Sequence, residues 1–568
     1  MSFTLPSSVT SLLTPEISSI LHDSLAHMQA VNPKHLGYTA GAVGLATMIA
    51  TAVHRATRIP PELAHLPSLT LAQSLRVMLS RKPFLEAHAD LLAMVRENAL
   101  ERGLVKSKDE TPRAWVMWFF GVWAVTVANP MDMKTLLTEH QTYEKMDLAE
   151  KGMDYGWEWF GKTSIVFSKT EQWKRHRRSI NPSFRRGWST DLFAVPGHAL
   201  LAKLDTHAAS NDPIPIADYM QRITLDALSL GAFGHNLDSI NNPHSDVVTL
   251  YHRLIAVTSD AAQSFLASPL IRWAVPRQRQ YLKDVEQFNA FIEGMIKEKE
   301  MMIRAGEVDP EKHVDLLTDM VRASLEDADE SQRLTREELR ANTVVMFIAG
   351  HDTTANALSF AMYLLALHPE IQTKARAEVI AMLGELPANT PVADMPYPTN
   401  AQQQSEMPYL TNILKETLRL YSSVTGVAPR ELSRATTLSD GTQLPAGTIL
   451  TTDAYAVQRA QEYWGEDVLE FKPDRWEMPK EAGGATPLHP GAHDFKWVPF
   501  GGGQRVCIGQ NFSITEQRVV IAMLLLRYEW SVVGDEDALR GKPKTSPGMM
   551  SGLIHPVGIQ LAAKRRDL

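Results

Sequence analysis

A mainly helical fold with a small β-rich lobe is what this sequence predicts, and three observations predict it. Long stretches carry apolar residues at helical spacing, the clearest lying between Arg336 and Leu367. Two runs, AWVMWFFG from Ala114 and VWAVTVANP from Val122, are β-branched and aromatic, with a glycine between them. The 568 residues are 44% hydrophobic and 21% charged, which allows a large core and excludes a disordered chain. The single cysteine rules out an intrachain disulfide or a Cys-rich zinc site. A net charge of −8, from 57 basic and 65 acidic side chains, argues against a general nucleic-acid binder. No fixed-period repeat or low-complexity tract interrupts the pattern.

The chain opens with residues 1–35, which hold Glu16, Asp23 and Lys34 but no arginine, a composition unlike a mitochondrial transit peptide. From Leu36 to Val53 the sequence carries no charge, near the lower end of the length that spans a bilayer; the alternative is a buried or interfacial helix. Arg55 and Arg58 follow this segment and only Lys34 precedes it closely, which puts the C-terminal bulk in the cytoplasm. The expected organisation is a lumenal segment over 1–35, a transmembrane anchor over 36–54, a proline-rich hinge over 55–67 and one large domain over 68–568. Within that domain the runs at 114 and 122 predict a hairpin, and helical patterning resumes at MDMKTLLTEH. Thr335 and Glu338 stand at capping-box spacing and Pro369 closes the pattern, so residues 336–367 form one helix of about 48 Å, long enough to cross the domain. Pro387 to Pro408, with five prolines and three consecutive glutamines, reads as a surface loop, PYLTNILKETLRLY as a helix, and QNFSITEQRVVIAMLLLRY as the last long helix.

Gly156 to Thr163, GWEWFGKT, formally matches a phosphate-binding loop. It is rejected, because a phosphate cradle needs small residues whose N–H groups converge, and here the variable positions are Trp, Glu, Trp and Phe. The sole cysteine, in WVPFGGGQRVCIGQNF, is more informative. Gly501, Gly502 and Gly503 permit a tight loop against a flat ligand, and Gly509 leads into a helix, so the sulfur lies at a helix N-terminus that favours thiolate. With Arg505 available to an anionic group, the set points to haem iron.

Phe500, Gly503, Arg505, Cys507 and Gly509 match every specified position of F-x-x-G-x-R-x-C-x-G, and in this the chain resembles the cytochrome P450 superfamily, in particular eukaryotic microsomal and fungal members. The resemblance implies the cytochrome P450 fold behind one N-terminal transmembrane helix, haem b (iron protoporphyrin IX) as cofactor, Cys507 as its axial thiolate ligand, Arg505 paired with a haem propionate, and Phe500 beside the sulfur. The helix at 336–367 carries A349-G-H-D352-T353-T354, poor helix formers that packing alone would not favour between apolar turns. Val345, Met346, Ala349 and Gly350 share a face with Thr353. By resemblance this face is the oxygen groove and substrate pocket, where the Thr353 hydroxyl bonds the bound oxygen and Asp352 feeds protons inward. Glu416 and Arg419 fit the family's E-x-x-R, with Arg475 in FKPDRW as the third member of a structural charge cluster; Trp476 stands where phenylalanine is frequent. Trp173 and Arg177 match W-x-x-x-R and, with Arg430, are the further propionate partners the family implies. Lys174, Arg175, Arg178 and Lys496 form either a basic face for an acidic electron donor or a solvated face.

The activity the resemblance implies is monooxygenation of a lipophilic steroid, terpenoid, fatty acid or xenobiotic, by hydroxylation or epoxidation. Only 61 residues follow Cys507 and no dinucleotide fingerprint follows a strand, so NADPH and flavins act only through a partner, NADPH-cytochrome P450 reductase, with cytochrome b5 as a second donor. The expected location is the endoplasmic reticulum membrane, single-pass, with the catalytic domain facing the cytoplasm and no nucleic-acid partner. The rivals are a haem-thiolate isomerase or lyase acting on a peroxide, and a non-catalytic haem sensor; Asp352 and Thr353 argue against both. Substrate-contacting segments are expected within 143–172, around 250–275, at 422–428 and near Met549 to Leu553, where Met549, Met550 and Leu553 equally suit a core role.

Overall fold

The computed structural model describes Thr47 and residues 57–147, 158–258, 274–309, 315–477, 494–547 and 552–566, apart from positions 108, 120, 162 and 328. The expected lumenal segment, the expected anchor except Thr47, positions 259–273 of one expected substrate segment, and Met549 and Met550 lie outside the described residues. Among the described residues no helix is long and apolar enough to cross a membrane. The chain divides into Met1–Pro60 and Pro61–Leu568, and every element named below belongs to the second unit. Leu63 and Leu66 are buried and Arg102 donates to the Ala64 and Leu66 carbonyls, so the latter half of the expected hinge packs into this unit.

Helices of eight residues or more are α1 (Leu71–Met78), α2 (Phe84–Glu101), α3 (Pro130–Thr138), α4 (Thr170–Arg185), α5 (Asp191–Ser210), α6 (Ile216–Phe233), α7 (Asp246–Thr258), α8 (Pro276–Arg304), α9 (Leu316–Glu326), α10 (Arg336–Leu367), α11 (Pro369–Leu383), α12 (Pro408–Leu420) and α13 (Gln510–Arg527). The strands are β1 (Ala114–Phe119), β2 (Val122–Val127), β3 (Tyr143–Lys145), β4 (Ile214–Pro215), β5 (Arg430–Leu432), β6 (Thr436–Thr437), β7 (Gln443–Leu444), β8 (Ile449–Thr452), β9 (Tyr528–Val533) and β10 (Gln560–Arg565). They form a five-stranded sheet in the order β1-β2-β8-β5-β3, a three-stranded sheet β4-β10-β9 and the pair β6-β7.

The expected hairpin is present, with Ala114 opposite Val127 and Phe119 opposite Val122 in antiparallel register, and β8 lies parallel to β2. α10 has the expected bounds. Its Thr335 side chain accepts from the Glu338 N–H while the Glu338 carboxylate accepts from the Thr335 N–H, closing both bonds of the capping box. The expected loop from Pro387 to Pro408 contains a short helix, Asn400–Ser405, with its own Thr399/Gln402 capping box; the prolines drew attention away from that T-x-x-Q signal. α10 crosses the core. From Ala341 to Ala366 it is buried everywhere except at Ala349, Gly350 and Thr353, which open onto a cavity. α13 is buried except at Asn511 and Ser513.

The described part of the rejected phosphate loop packs into the core. Trp159 is fully buried, edge-to-face with Phe160 and Phe288, and a Cβ on Gly161 would meet the Ala341 Cβ at 2.4 Å. Trp159 and Phe160 pack beneath α10.

Candidate active site

Cys507 ends a tight loop ahead of α13. Its N–H donates to the Phe500 carbonyl at 2.9 Å, and Gly501 N–H donates to Val498 carbonyl at 2.9 Å. The loop presses on α3: Gly503 has φ +65° and a Cβ there would lie 2.2 Å from the Leu137 carbonyl oxygen, so only glycine fits. The thiol is open to the cavity yet deep in the protein. Burial raises its pKa, and the Gly509 and Gln510 N–H groups and the Arg177 charge lower it without overcoming burial. The helix terminus therefore works in the expected direction but does not by itself make the sulfur a thiolate; a metal cation would complete that change.

Cys507, Phe500, Arg505 and Gly509 share one cavity of about 380 Å³ with Trp173, Arg177, Arg430, Val345, Met346, Ala349, Gly350 and Thr353. The motif residues expected to touch the cofactor or substrate, with their neighbours on the Thr353 face, therefore converge, except Asp352. That carboxylate is buried against Tyr251 and His351 and does not line the cavity. The Thr353 hydroxyl donates to the Ala349 carbonyl at 2.9 Å, and Ser423 donates to the Thr353 carbonyl at 2.7 Å. Gly350 lets α10 approach α6, since a Cβ there would lie 2.6 Å from Leu228 Cδ1. Leu228, Ala232, Leu316, Phe184 and Trp188, positions that no motif marked, also line the cavity. Of the expected substrate segments, Lys145, Ile165 and Val166 in the first and Val424, Gly426, Val427 and Ala428 in the third line the cavity. Described residues 250–258 do not, and Leu553 makes a β-bridge with Val424 without reaching the wall.

One end of the cavity is densely cationic. Arg430, 2% exposed, has its pKa pushed down to about 10 by burial; Arg505 is pushed to about 10 by burial and by the Arg430 charge. Burial lowers the Lys145 pKa well below its ordinary value, and Arg430 and Arg505 lower it further. The Nε atoms of Arg430 and Arg505 and both ring nitrogens of His140 are buried without a hydrogen-bond partner among the described residues. Arg505 lies over the Trp173 ring at 4.7 Å, and Arg177 donates to the Val506 carbonyl at 3.1 Å. Buried cations with idle donors call for an anionic ligand. A flat cofactor bearing carboxylates at this end and a metal near the sulfur fits these residues, as haem does. Lys145 and His140 are additions that no motif marked.

The E-x-x-R pair is buried, not a surface pair. Arg419 Nη2 and Nε donate to the two Glu416 oxygens at 2.8 and 2.9 Å, and Arg475 Nε donates to Glu416 at 2.8 Å. Trp476 Nε1 donates to Glu416 at 2.9 Å, a bond that phenylalanine could not make. Arg419 also holds the carbonyls of Gln458 and Val468 at 3.0 and 2.7 Å, fastening the segment between them to α12. The expected basic face is corrected at Arg175, which pairs with the buried Glu338 and donates to the Arg333 carbonyl instead of facing a partner. Lys174, Arg178 and Lys496 are paired with Glu171, Asp327 and Asp494.

The cytochrome P450 family model matches residues 90–562, and the chain belongs to that family of monooxygenases, whose cofactor is haem held by a thiolate. It is similar to Cytochrome P450 4A2 of Rattus norvegicus, 28% identical over 433 residues, 74% of this chain and 79% of that protein. It is also similar to Taurochenodeoxycholic 6 alpha-hydroxylase of Sus scrofa, 28% identical over 380 residues, and to Cytochrome P450 3A14 of Cavia porcellus, 27% identical over 380 residues; each match covers 65% of this chain and 70% of the relative.

Proposed function

We propose that the protein inserts one atom of dioxygen into a lipophilic substrate, with electrons passed from NADPH by a separate membrane-bound reductase. The observation that carries this reading is the shared cavity of Cys507, the buried cations and the small apolar face of α10 around Thr353. Cys507 would hold the iron, and Trp173, Arg177, Arg430 and Arg505 the propionates. Haem, when bound, supplies the activation of dioxygen. The chain supplies the rest. Val345, Met346, Ala349 and Leu228 exclude water and hold apolar substrate by contact. Thr353 keeps a proton on Oγ1 at the cavity wall, and Asp352 is the buried acid one residue away that replenishes it. Glu416, Arg419 and Arg475 keep the cysteine loop in place. One relative is named for 6 alpha-hydroxylation of a taurochenodeoxycholic substrate, which supports a steroid among the lipophilic classes. A single-pass anchor in the endoplasmic reticulum, with the catalytic domain on the cytoplasmic side, completes the reading.

The test is the carbon monoxide difference spectrum of the reduced, haem-supplied protein, followed by product analysis with reductase, NADPH and a steroid and fatty-acid panel. A red-shifted Soret band, lost in Cys507→Ser, and NADPH-dependent product are expected. An unshifted band in folded protein overturns the ligand, and turnover of a hydroperoxide without NADPH points to an isomerase or lyase.

A further inference from the structure

Asp352 stands next to Thr353 in sequence but on a different face of α10, and its surroundings are built to hold it there. It is 3% exposed and both its oxygens are engaged: His351 Nε2 lies 3.2 Å from Oδ1, and the Tyr251 hydroxyl donates to Oδ2 at 3.1 Å. The same hydroxyl lies 3.2 Å from His351 Nδ1, and the two rings meet edge to face with centroids 4.7 Å apart. Tyr251 comes from α7 and is wedged against Trp159 and Phe347, so its hydroxyl has a fixed position. The other groups that act on this set are His252 on α7, itself acted on by Asp218 and Arg222 of α6, and His555 ahead of β10, whose Nδ1 lies 3.1 Å from the Asn356 amide.

Burial alone would raise the Asp352 pKa; the His351 charge and hydrogen bond, with His555 and Tyr251, outweigh it and hold the carboxyl below its ordinary range. Burial and the Asp352 charge push the Tyr251 phenol well up, so Tyr251 remains a donor. A buried polar triad of this kind is a poor way to gain stability when apolar residues of like volume would pack as well. Its placement beside Thr353 gives it a use.

Resting on the monooxygenase reading above, we propose that Tyr251 and His351 are positioning residues for proton delivery, clamping Asp352 in its charged form outside the cavity. A proton passes from His351 Nε2 to Asp352 Oδ1, leaving a neutral imidazole and a neutral acid. The pair no longer attracts, and the acid gives the proton up toward the Thr353 hydroxyl. His351 then regains a proton from solvent, the nearest exposed member of the set being His252.

The experiment uses the full chain loaded with haem, with reductase, NADPH and dodecanoic acid as probe, and reads peroxide released and oxygen consumed per NADPH between about pH 6 and 9. These ratios report proton delivery whether or not the probe is oxidised. His351→Gln keeps an N–H donor but not a titrating ring. It is expected to raise the peroxide fraction about tenfold and to flatten the pH profile. Tyr251→Phe removes one hydroxyl and is expected to raise the peroxide fraction as well, because the bond that fixes Asp352 Oδ2 is gone. Both keep the haem content and the carbon monoxide spectrum; if His351→Gln loses haem, Tyr251→Phe carries the test alone. Wild-type ratios in both variants, with an unchanged profile in His351→Gln, overturn the clamp. If Asp352→Asn also behaves as wild type, the role given to Asp352 itself falls, and if wild type neither binds haem nor consumes NADPH, the monooxygenase reading falls.

Discussion

Thr353 donates its hydroxyl to the Ala349 carbonyl one turn back, a bond that gives a helix little and tends to bend it. Thr353→Ala should therefore leave stability unchanged or slightly raised, since alanine is the better helix former, while product per NADPH falls and peroxide rises. Unchanged coupling in a haem-replete variant would show that the hydroxyl has no part in proton delivery. The cysteine loop and the residues around Thr353 were legible in the sequence because their spacing is chemically unusual. Arg175 was misread, since nothing in KTEQWKRHRRS distinguishes a cation that meets a buried carboxylate 163 residues away from its exposed neighbours. Trp476 was read as a mild departure, yet its indole N–H supplies one of the five bonds that Glu416 accepts, which only the folded geometry reveals. Lys145 and His140 fall in the same class, because β3 and the turn before it reach the cations of the cysteine loop only through the five-stranded sheet.

α10 was legible in full because its ends carry local signals, whereas the reason for its glycine lies in another helix. A methyl at Gly350 would sit 2.6 Å from Leu228 Cδ1. The gain in propensity, ~1 kcal/mol, is outweighed by overpacking at a buried leucine, and Gly350→Ala should lower stability by about 1 kcal/mol in chemical denaturation. An unlowered midpoint would mean that Leu228 yields into the cavity without strain. The N-terminal turn of α10 makes a second prediction. Burial raises the Glu338 pKa, but bonds from Arg175, Gln172, the Thr335 N–H and His176 overcome it and hold the carboxyl well below the carboxylate range. A carboxylate with a depressed folded-state pKa contributes stability above its ordinary value near 4.5 and loses that contribution as the pH falls toward the folded value. Glu338→Gln should thus lower Tm at neutral pH, with the gap from wild type narrowing below about pH 4.5. A gap independent of pH would assign the loss to the capping bond alone.

At the scale of the whole molecule, helices from distant parts of the chain and the cysteine loop assemble around a cavity whose cationic end lacks matching acids among the described residues. Glu144 is the acidic neighbour that acts on Arg505, set against Lys145, Arg430 and Arg505. The order of the motifs along the chain announced the family, but this imbalance appears only once β3, β5 and the loop before α13 are brought together. It has a thermodynamic consequence. A lysine whose folded-state pKa is depressed destabilises the fold while charged, and the penalty is relieved as pH rises from the folded value toward the ordinary 10.5. A cofactor bringing carboxylates to Lys145, Arg430 and Arg505 restores their ordinary protonation and removes that dependence. Haem-depleted protein should therefore gain more Tm than haem-loaded protein as the pH rises from neutral toward 10.5. Lys145→Met should raise Tm at pH 7 in the depleted protein, where it removes an uncompensated charge, and should speed haem loss in the loaded one, where it removes a partner. Those opposite signs distinguish a binding role from a packing role. Parallel pH profiles for the two forms, or the same sign for Lys145→Met in both, would mean that the cations serve the fold and not the cofactor's carboxylates.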